Sequence, residues 1–199
     1  MATDTKQLNS ARATIEAFAR AYEPDRNIHL RGREIGPESL PAPARTAYQF
    51  YFDVFNPPDD TYGLSHAFEQ LPEDGTLFIV IGNGLESGWG AVEIYSPTGE
   101  LLATALFYAG MAVWLDQNTA RQTLAGHSPP PPSLFKPAKL EWIFYTHEYA
   151  FSVGGRFTAR PHYDNTLGTV LEDRNTGAQH PCATFANAQA LAGTIHAQG

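Results

Sequence analysis

The first part of the chain carries apolar residues at helical spacing. They are Leu8, Ala11, Ile15, Phe18 and Tyr22, with charged residues between them. Spacings of three and four positions predict an amphipathic helix, which we expect Pro24 to end. Residues 25–43 are mixed in character, and a short strand is predicted within them at residues 28–34.

A second helix is predicted to begin near Pro43, because proline suits the first helical turn. Its aromatic residues Tyr48, Tyr51, Phe52 and Phe55 fall on one face by helical spacing, which favours a core stripe over a ligand pocket. Asn56 and two prolines then stop the helix. The spacing of Leu64, Phe68 and Leu71 predicts a third short helix.

From Thr76 the pattern becomes that of strands. Apolar, β-branched runs at residues 76–81, 89–95 and 101–108 are separated by turn residues. Asn83-Gly84 is a strong hairpin signal, and a turn there places Phe78 opposite Trp89. These features predict an antiparallel meander over residues 76–108. The residues expected to share its buried face are Val92, Ile94, Leu102 and Leu106.

The last third of the chain predicts a short helix, two hairpins and a closing helix. Asp116 can cap a helix at residues 117–125, and the prolines of residues 128–132 form a stiff connector. Strands are predicted at residues 139–146, 149–153 and 156–162. The last two flank a two-glycine turn at Gly154 and Gly155. A second hairpin spans residues 168–182. The final helix starts near Thr184, with Phe185, Ala188, Ala192 and Ile195 facing inward.

Together these elements predict an α+β fold. An antiparallel sheet is built from hairpins, namely the meander 76–108 and the hairpins near 140–162 and 168–182. The N-terminal helices and a C-terminal helix pack against it. The length of 199 residues suits one domain with its own core, so we predict a single domain, residues 1–199, with the proline-rich connector inside it.

The single cysteine, Cys182, excludes an intrachain disulfide. Residues 1–9 lack the layout of a secretory signal, and the longest apolar stretch, residues 101–115, is shorter than a bilayer requires. We therefore expect a cytoplasmic protein that does not enter a membrane.

Charge is distributed very unevenly along the chain. The net charge is −8, which argues against nucleic acid as a partner, since that affinity comes from lysine and arginine. Residues 46–120, the acidic block, contain ten acidic residues and no lysine or arginine. The block is either an ordinary solvated surface or a docking face for a basic protein. The residues expected to bind such a partner are Asp59, Asp60, Glu69, Glu73, Asp74 and Glu86.

A second candidate site follows from strand pairing. With Gly154 and Gly155 as the turn, His147 faces His162, Tyr149 faces Arg160 and Tyr145 faces Asp164, all on one side of the sheet. His147, His162 and Asp164 could then hold a divalent metal or form an acid–base pair. The alternatives are a polar recognition face or plain solvent exposure, and Pro161 could end the ladder before His162.

Cys182 precedes the final helix, where a thiol can become nucleophilic, although a free cysteine is more often a buried small apolar residue. Gly82, Gly84, Gly88 and Gly90 do not complete a phosphate-binding fingerprint, because Glu86 is anionic and a strand follows. We expect no cofactor.

Three hypotheses about function remain. The first is a protein-binding module, such as an inhibitor or immunity-type protein, that presents the acidic block to a basic partner. The second is a small enzyme, metal-dependent or a cysteine hydrolase, that uses His147, His162 and Asp164, or Cys182. The third is a small-molecule-binding or assembly domain that uses an aromatic set, Tyr48, Tyr51, Phe55, Phe78 and Trp89.

Overall fold

The computed structural model describes residues 5–20, 32–56, 63–70, 77–84, 89–125, 130–162 and 168–198. The chain forms two compact units. The N-terminal unit consists of Met1–Tyr108 and Ala112–Pro130, and the C-terminal unit consists of Ala109–Met111 and Pro131–Gly199. The boundary at Pro130 falls within the predicted connector.

The N-terminal unit is built on a six-stranded antiparallel sheet in which neighbours in sequence are neighbours in space. Its strands are β1 (Arg33–Glu34), β2 (Gly63–Gln70), β3 (Leu77–Gly84), β4 (Trp89–Tyr95), β5 (Leu101–Tyr108) and β6 (Met111–Leu115). Its helices are α1 (Thr5–Arg20), α2 (Ala42–Phe55) and α3 (Gln117–Leu124), with a short 3-10 turn at Pro37–Ser39. Asp116 caps α3 as predicted, since its Oδ1 accepts a hydrogen bond from the Thr119 N–H at 3.0 Å.

Both faces of this sheet are covered by helices. On one face α1 contributes Ala11, Ile15 and Ala19 to a core with alternate residues of the central strands, including Val92 and Ile94. On the other face α2 lies against β2, β3 and β4, and α3 lies against β5. Because side chains alternate along a strand, Glu93 points to the α2 and α3 side, between two residues that point to α1.

The C-terminal unit is a five-stranded antiparallel sheet with one helix on its face. The strands are β7 (Trp142–Phe144), β8 (Ala150–Ser152), β9 (Phe157–Pro161), β10 (Thr169–Asp173) and β11 (Ala178–Cys182), and they are ordered β11-β10-β9-β8-β7. A 3-10 turn, Pro132–Leu134, precedes them, and α4 (Phe185–Gln198) follows. Ala188 and Ala192 of α4 are buried against Phe157, Ala159 and Leu171, as the helical pattern predicts.

The predicted α+β class, the meander strands and the two later hairpins are confirmed. The β8–β9 register is the predicted one, with Ala150 opposite Ala159 and Phe151 opposite Thr158. Gly154 and Gly155 both have positive φ, 78° and 68°, which a two-residue turn of this type requires. Within the described residues, no helix is long and apolar enough to cross a membrane.

The third predicted helix is wrong, because Leu64 and Phe68 lie in strand β2, while Leu71 falls outside the described residues. A strand that is covered on both faces loses its polar–apolar alternation. In β2 the neighbours Ala67 and Phe68 are both buried although they point to opposite faces. The strand therefore lacks an alternating pattern, and the four-residue spacing of Leu64 and Phe68 resembles that of a helix. Of the strand predicted at residues 28–34, residues 32–34 lie within the described part of the chain, and Arg33–Glu34 form β1.

The predicted turn at Asn83-Gly84 is also wrong. Strand β3 continues through both residues, Asn83 pairs with Gly90, and Phe78 lies opposite Tyr95 rather than Trp89. Cross-strand pairing on both sides of β3 extends this strand past the local turn signal. Asn83 and Gly84 are therefore paired strand residues and not the turn between β3 and β4.

Two side chains lie on faces other than those predicted. Leu106 pairs with Ala91 and so shares the Glu93 face, whereas Val92 and Ile94 face α1. The pairing of β4 with β5 skips Leu102 at Ile94/Tyr95, so Leu102 stays on the α1 side as predicted. Leu106 therefore no longer shares a face with it. Phe52 is 45% exposed, while Tyr51 and Phe55 of the same predicted stripe are buried.

Candidate functional site

A connected group of ionisable side chains lies on the α2 and α3 face of the N-terminal sheet. Its centre is Glu93, which is 0% exposed in the middle of β4. Every residue of β4 is buried. A buried carboxylate at such a position needs hydrogen-bond donors, because an isolated buried charge is very costly.

Side chains from two helices and the same strand supply those donors. Arg121 of α3 donates from Nε to Oε1 at 2.8 Å and from Nη2 to Oε2 at 2.9 Å. Gln117 donates to Oε2 at 2.8 Å, and the Tyr51 hydroxyl donates to Oε1 at 2.8 Å. The Tyr95 hydroxyl donates to Oε2. Oε1 of Glu93 thus accepts two hydrogen bonds and Oε2 accepts three.

The environment shifts the proton affinity of each group. Burial alone would raise the pKa of Glu93, but the hydrogen bonds from Arg121, Tyr95, Gln117 and Tyr51 outweigh it and hold the pKa below its ordinary value. Burial, together with the negative charge of Glu93, raises the pKa of Tyr51 and of Tyr95. Glu93 is therefore ionised and both tyrosines are protonated at neutral pH.

This arrangement is suited to joining elements rather than to turning over a substrate. Glu93 is 0% exposed, and its oxygens already accept five hydrogen bonds. Arg121 is also stacked over the Phe50 ring, with its guanidinium carbon 5.0 Å from the ring centroid. We therefore interpret the cluster as the link that fixes α2 and α3 to the sheet.

In the sequence, Glu93 belongs to the acidic block, and its partners cannot be identified there. A signal was present, since Glu93 is the one charged residue in an otherwise apolar strand, Ala91–Tyr95. A charge at that position indicates a buried residue with a partner. The partner Arg121 lies 28 positions away, just beyond the end of the block, and no local spacing identifies it.

The candidate docking residues are only partly within the described chain. Asp59, Asp60, Glu73, Asp74 and Glu86 fall outside it, and Glu69 lies in β2. Glu69 is paired with Arg33 of β1 at 2.5 Å. Three other carboxylates of the block, Asp53, Glu100 and Asp116, are exposed, and none of them forms an ion pair with another described residue.

The candidate His147, His162 and Asp164 cluster depends on a ladder that stops early. The β8–β9 pairing ends at Ala150 and Ala159. His147 instead lies in the turn between β7 and β8, is 88% exposed, and is 3.5 Å from Glu148. His162 continues towards β10, where its N–H donates to the Gly168 carbonyl at 3.1 Å. Asp164 lies outside the described residues, which contain no group of three metal-ligating side chains.

Cys182 is 8% exposed and belongs to the core between the sheet and α4. Its thiol lies 3.4 Å from the His180 carbonyl. In the proposed aromatic set, Tyr51, Phe55 and Trp89 are buried in the N-terminal unit, and the Phe55 and Trp89 ring centroids are 4.9 Å apart. These three rings fill core volume between α2 and the sheet.

Comparison of the chain with protein-family models, with curated proteins and with solved structures found no match.

Proposed function

We propose that this protein is a binding module, of the inhibitor or immunity type, that docks a basic protein partner through its acidic block. The observation that carries the proposal is the charge of residues 46–120, with ten carboxylates and no lysine or arginine. Such a field attracts a basic partner and raises its association rate. The proposal places the protein in the cytoplasm, since Cys182 has no second cysteine to pair with, and it excludes nucleic acid as the partner.

Two of the ten carboxylates of the acidic block already have a cationic partner within the protein. Glu93 is internal and neutralised by Arg121, and Glu69 is paired with Arg33. Eight carboxylates of the ten then remain, and those described, Asp53, Glu100 and Asp116, are exposed to solvent. An exposed carboxylate without a cation contributes to long-range attraction more than one already paired.

The test compares two charge-reversed variants of equal net charge. One replaces Asp59, Asp60, Glu73 and Asp74 by lysine, within the block. Its matched control replaces four exposed carboxylates outside the block, Glu34, Glu38, Glu141 and Glu148. Each variant moves the net charge from −8 to zero, so any difference between them reports position and not total charge.

We expect the immobilised parent to retain a basic protein from a lysate of the native host at low salt and to release it at high salt. The block variant should fail to retain that protein, and the control variant should retain it. With the captured protein purified, the association rate should fall for the block variant alone. Equal association rates for parent and block variant at low salt would refute the proposal.

A further inference from the structure

Exposed aromatic side chains cluster on one hairpin of the C-terminal unit. Among the described residues, four large apolar side chains are exposed, and three of them lie within six positions: Phe144 at 57%, Tyr145 at 60% and Tyr149 at 37%. The Tyr145 and Tyr149 rings meet edge to face at 6.1 Å. Exposed aromatic residues in one place are typical of an interaction surface.

The same hairpin supplies an open strand edge. Strand β7 is the last strand of its sheet and pairs with β8 alone. The Tyr145 N–H donates to the Tyr149 carbonyl, and the Val153 N–H donates to the Glu141 carbonyl. By the alternation of an antiparallel ladder, the N–H and C=O groups of Trp142 and Phe144 point away from β8, towards the edge where the described sheet has no further strand.

The two edges of this sheet differ in their protection. The opposite edge, β11, contains Pro181, which lacks an N–H and discourages pairing with another chain. Strand β7 has the sequence Trp142-Ile143-Phe144, without proline or charge. The open edge is therefore the one that can accept a further strand.

We propose that β7 pairs with β7 of a second copy of this chain, antiparallel and around a two-fold axis at Ile143. In this register Trp142 lies opposite Phe144 of the other copy, and the outward N–H and C=O groups of both residues meet. The edge is its own complement in hydrogen-bonding pattern, as a two-fold interface requires.

Side chains and charge also suit this pairing. Trp142 and Phe144 lie on the α4 side of the sheet, with ring centroids 5.9 Å and 5.6 Å from Phe185. The pairing therefore adds two cross-strand aromatic contacts to an existing aromatic group. Residues 131–199 contain five basic and five acidic side chains, so the whole net charge of −8 belongs to residues 1–130. Two C-terminal units can thus approach without net repulsion.

The first test uses a substitution that removes the outward N–H donor of Phe144 together with its ring. The N–H of Phe144 makes no bond to β8, so Phe144→Pro leaves the internal ladder intact while it blocks the edge. We expect the full chain to show a concentration-dependent monomer–dimer equilibrium in sedimentation velocity. Phe144→Pro should raise the dissociation constant about tenfold or more, because each copy loses a hydrogen bond and a cross-strand aromatic contact.

Two further variants keep the test decisive if Phe144→Pro alters folding. Phe144→Ala retains the N–H and removes the ring, and it should also weaken the dimer, whereas Phe52→Ala in the N-terminal unit should not. Ile143→Cys in a Cys182→Ala background should form an intermolecular disulfide, because residues 143 of the two copies face each other at about 4.5 Å between Cα atoms. Glu141→Cys in the same background should not.

A parent chain that stays monomeric up to about 1 mM would overturn the pairing. So would a dimer that Phe144→Pro and Phe144→Ala leave unchanged, or one in which Glu141→Cys cross-links as readily as Ile143→Cys. These results are independent of the acidic block, so they do not bear on the proposed docking of a basic protein.

Discussion

Gly82 is the residue over which helix α2 crosses the N-terminal sheet. A Cβ at this position would lie 2.5 Å from the Tyr51 Cβ and 2.8 Å from the Phe55 Cδ2. Both contacts are shorter than van der Waals packing permits, and neither partner atom is the far end of a flexible chain. The absence of a side chain at Gly82 therefore lets Tyr51 reach Glu93.

We expect Gly82→Ala to lower the free energy of unfolding by about 1–3 kcal/mol, the usual cost of overpacking. Gly193→Ala in α4 is the matched control, because no atom lies within 4 Å of its added Cβ. In a helix interior that change should stabilise by up to about 1 kcal/mol. Urea unfolding measures both, and equal effects of the two variants would contradict the close approach at Gly82.

At the scale of elements, Glu93 couples two helices to a strand through its charge. The pKa of Glu93 is lower in the folded protein than in the unfolded chain. The stability that the Glu93 carboxylate contributes is therefore present above the unfolded pKa of about 4.3. It is lost as the pH falls through the folded pKa. Glu93→Gln removes this contribution. The variant should be less stable at pH 7 by about 1–3 kcal/mol and should lose less additional stability than the parent below about pH 4.3.

The control for Glu93→Gln is Asp53→Asn, which neutralises an exposed carboxylate whose described partner is Gln49, at 2.7 Å. Thermal unfolding at several pH values measures both variants. We expect Asp53→Asn to follow the parent across the acid range within about 0.5 kcal/mol. Parallel pH profiles for Glu93→Gln and the parent would show that Glu93 does not contribute to acid sensitivity.

Elements with strong local patterns could be predicted from the sequence, whereas those determined by distant contacts could not. Helices α1 and α4 and the Gly154-Gly155 turn follow from spacing and from glycine conformation. Strand β2 was missed because helices cover both faces of its sheet. The Glu93–Arg121 pair was missed because α3 brings Arg121 back over β4, and only the fold determines that contact.

At the scale of the whole molecule, the charge asymmetry has a consequence for stability that needs no partner. Residues 1–130 carry eight basic and sixteen acidic side chains, while residues 131–199 are neutral. Like charges concentrated in one part of a chain repel in the folded state, and salt screens that repulsion. The Debye length falls from about 30 Å at 10 mM salt to about 8 Å at 150 mM.

We therefore expect the Tm of the parent to rise by about 2–4 °C between about 10 mM and 150 mM NaCl, which corresponds to about 1 kcal/mol for a chain of this size. The lysine variant at Asp59, Asp60, Glu73 and Asp74 should lose most of this rise. The matched variant at Glu34, Glu38, Glu141 and Glu148 has the same net charge but leaves residues 1–130 at −4, so it should keep about half of the rise. A salt response that follows net charge alone, equal in both variants, would show that the carboxylates of the acidic block do not repel one another across the folded surface.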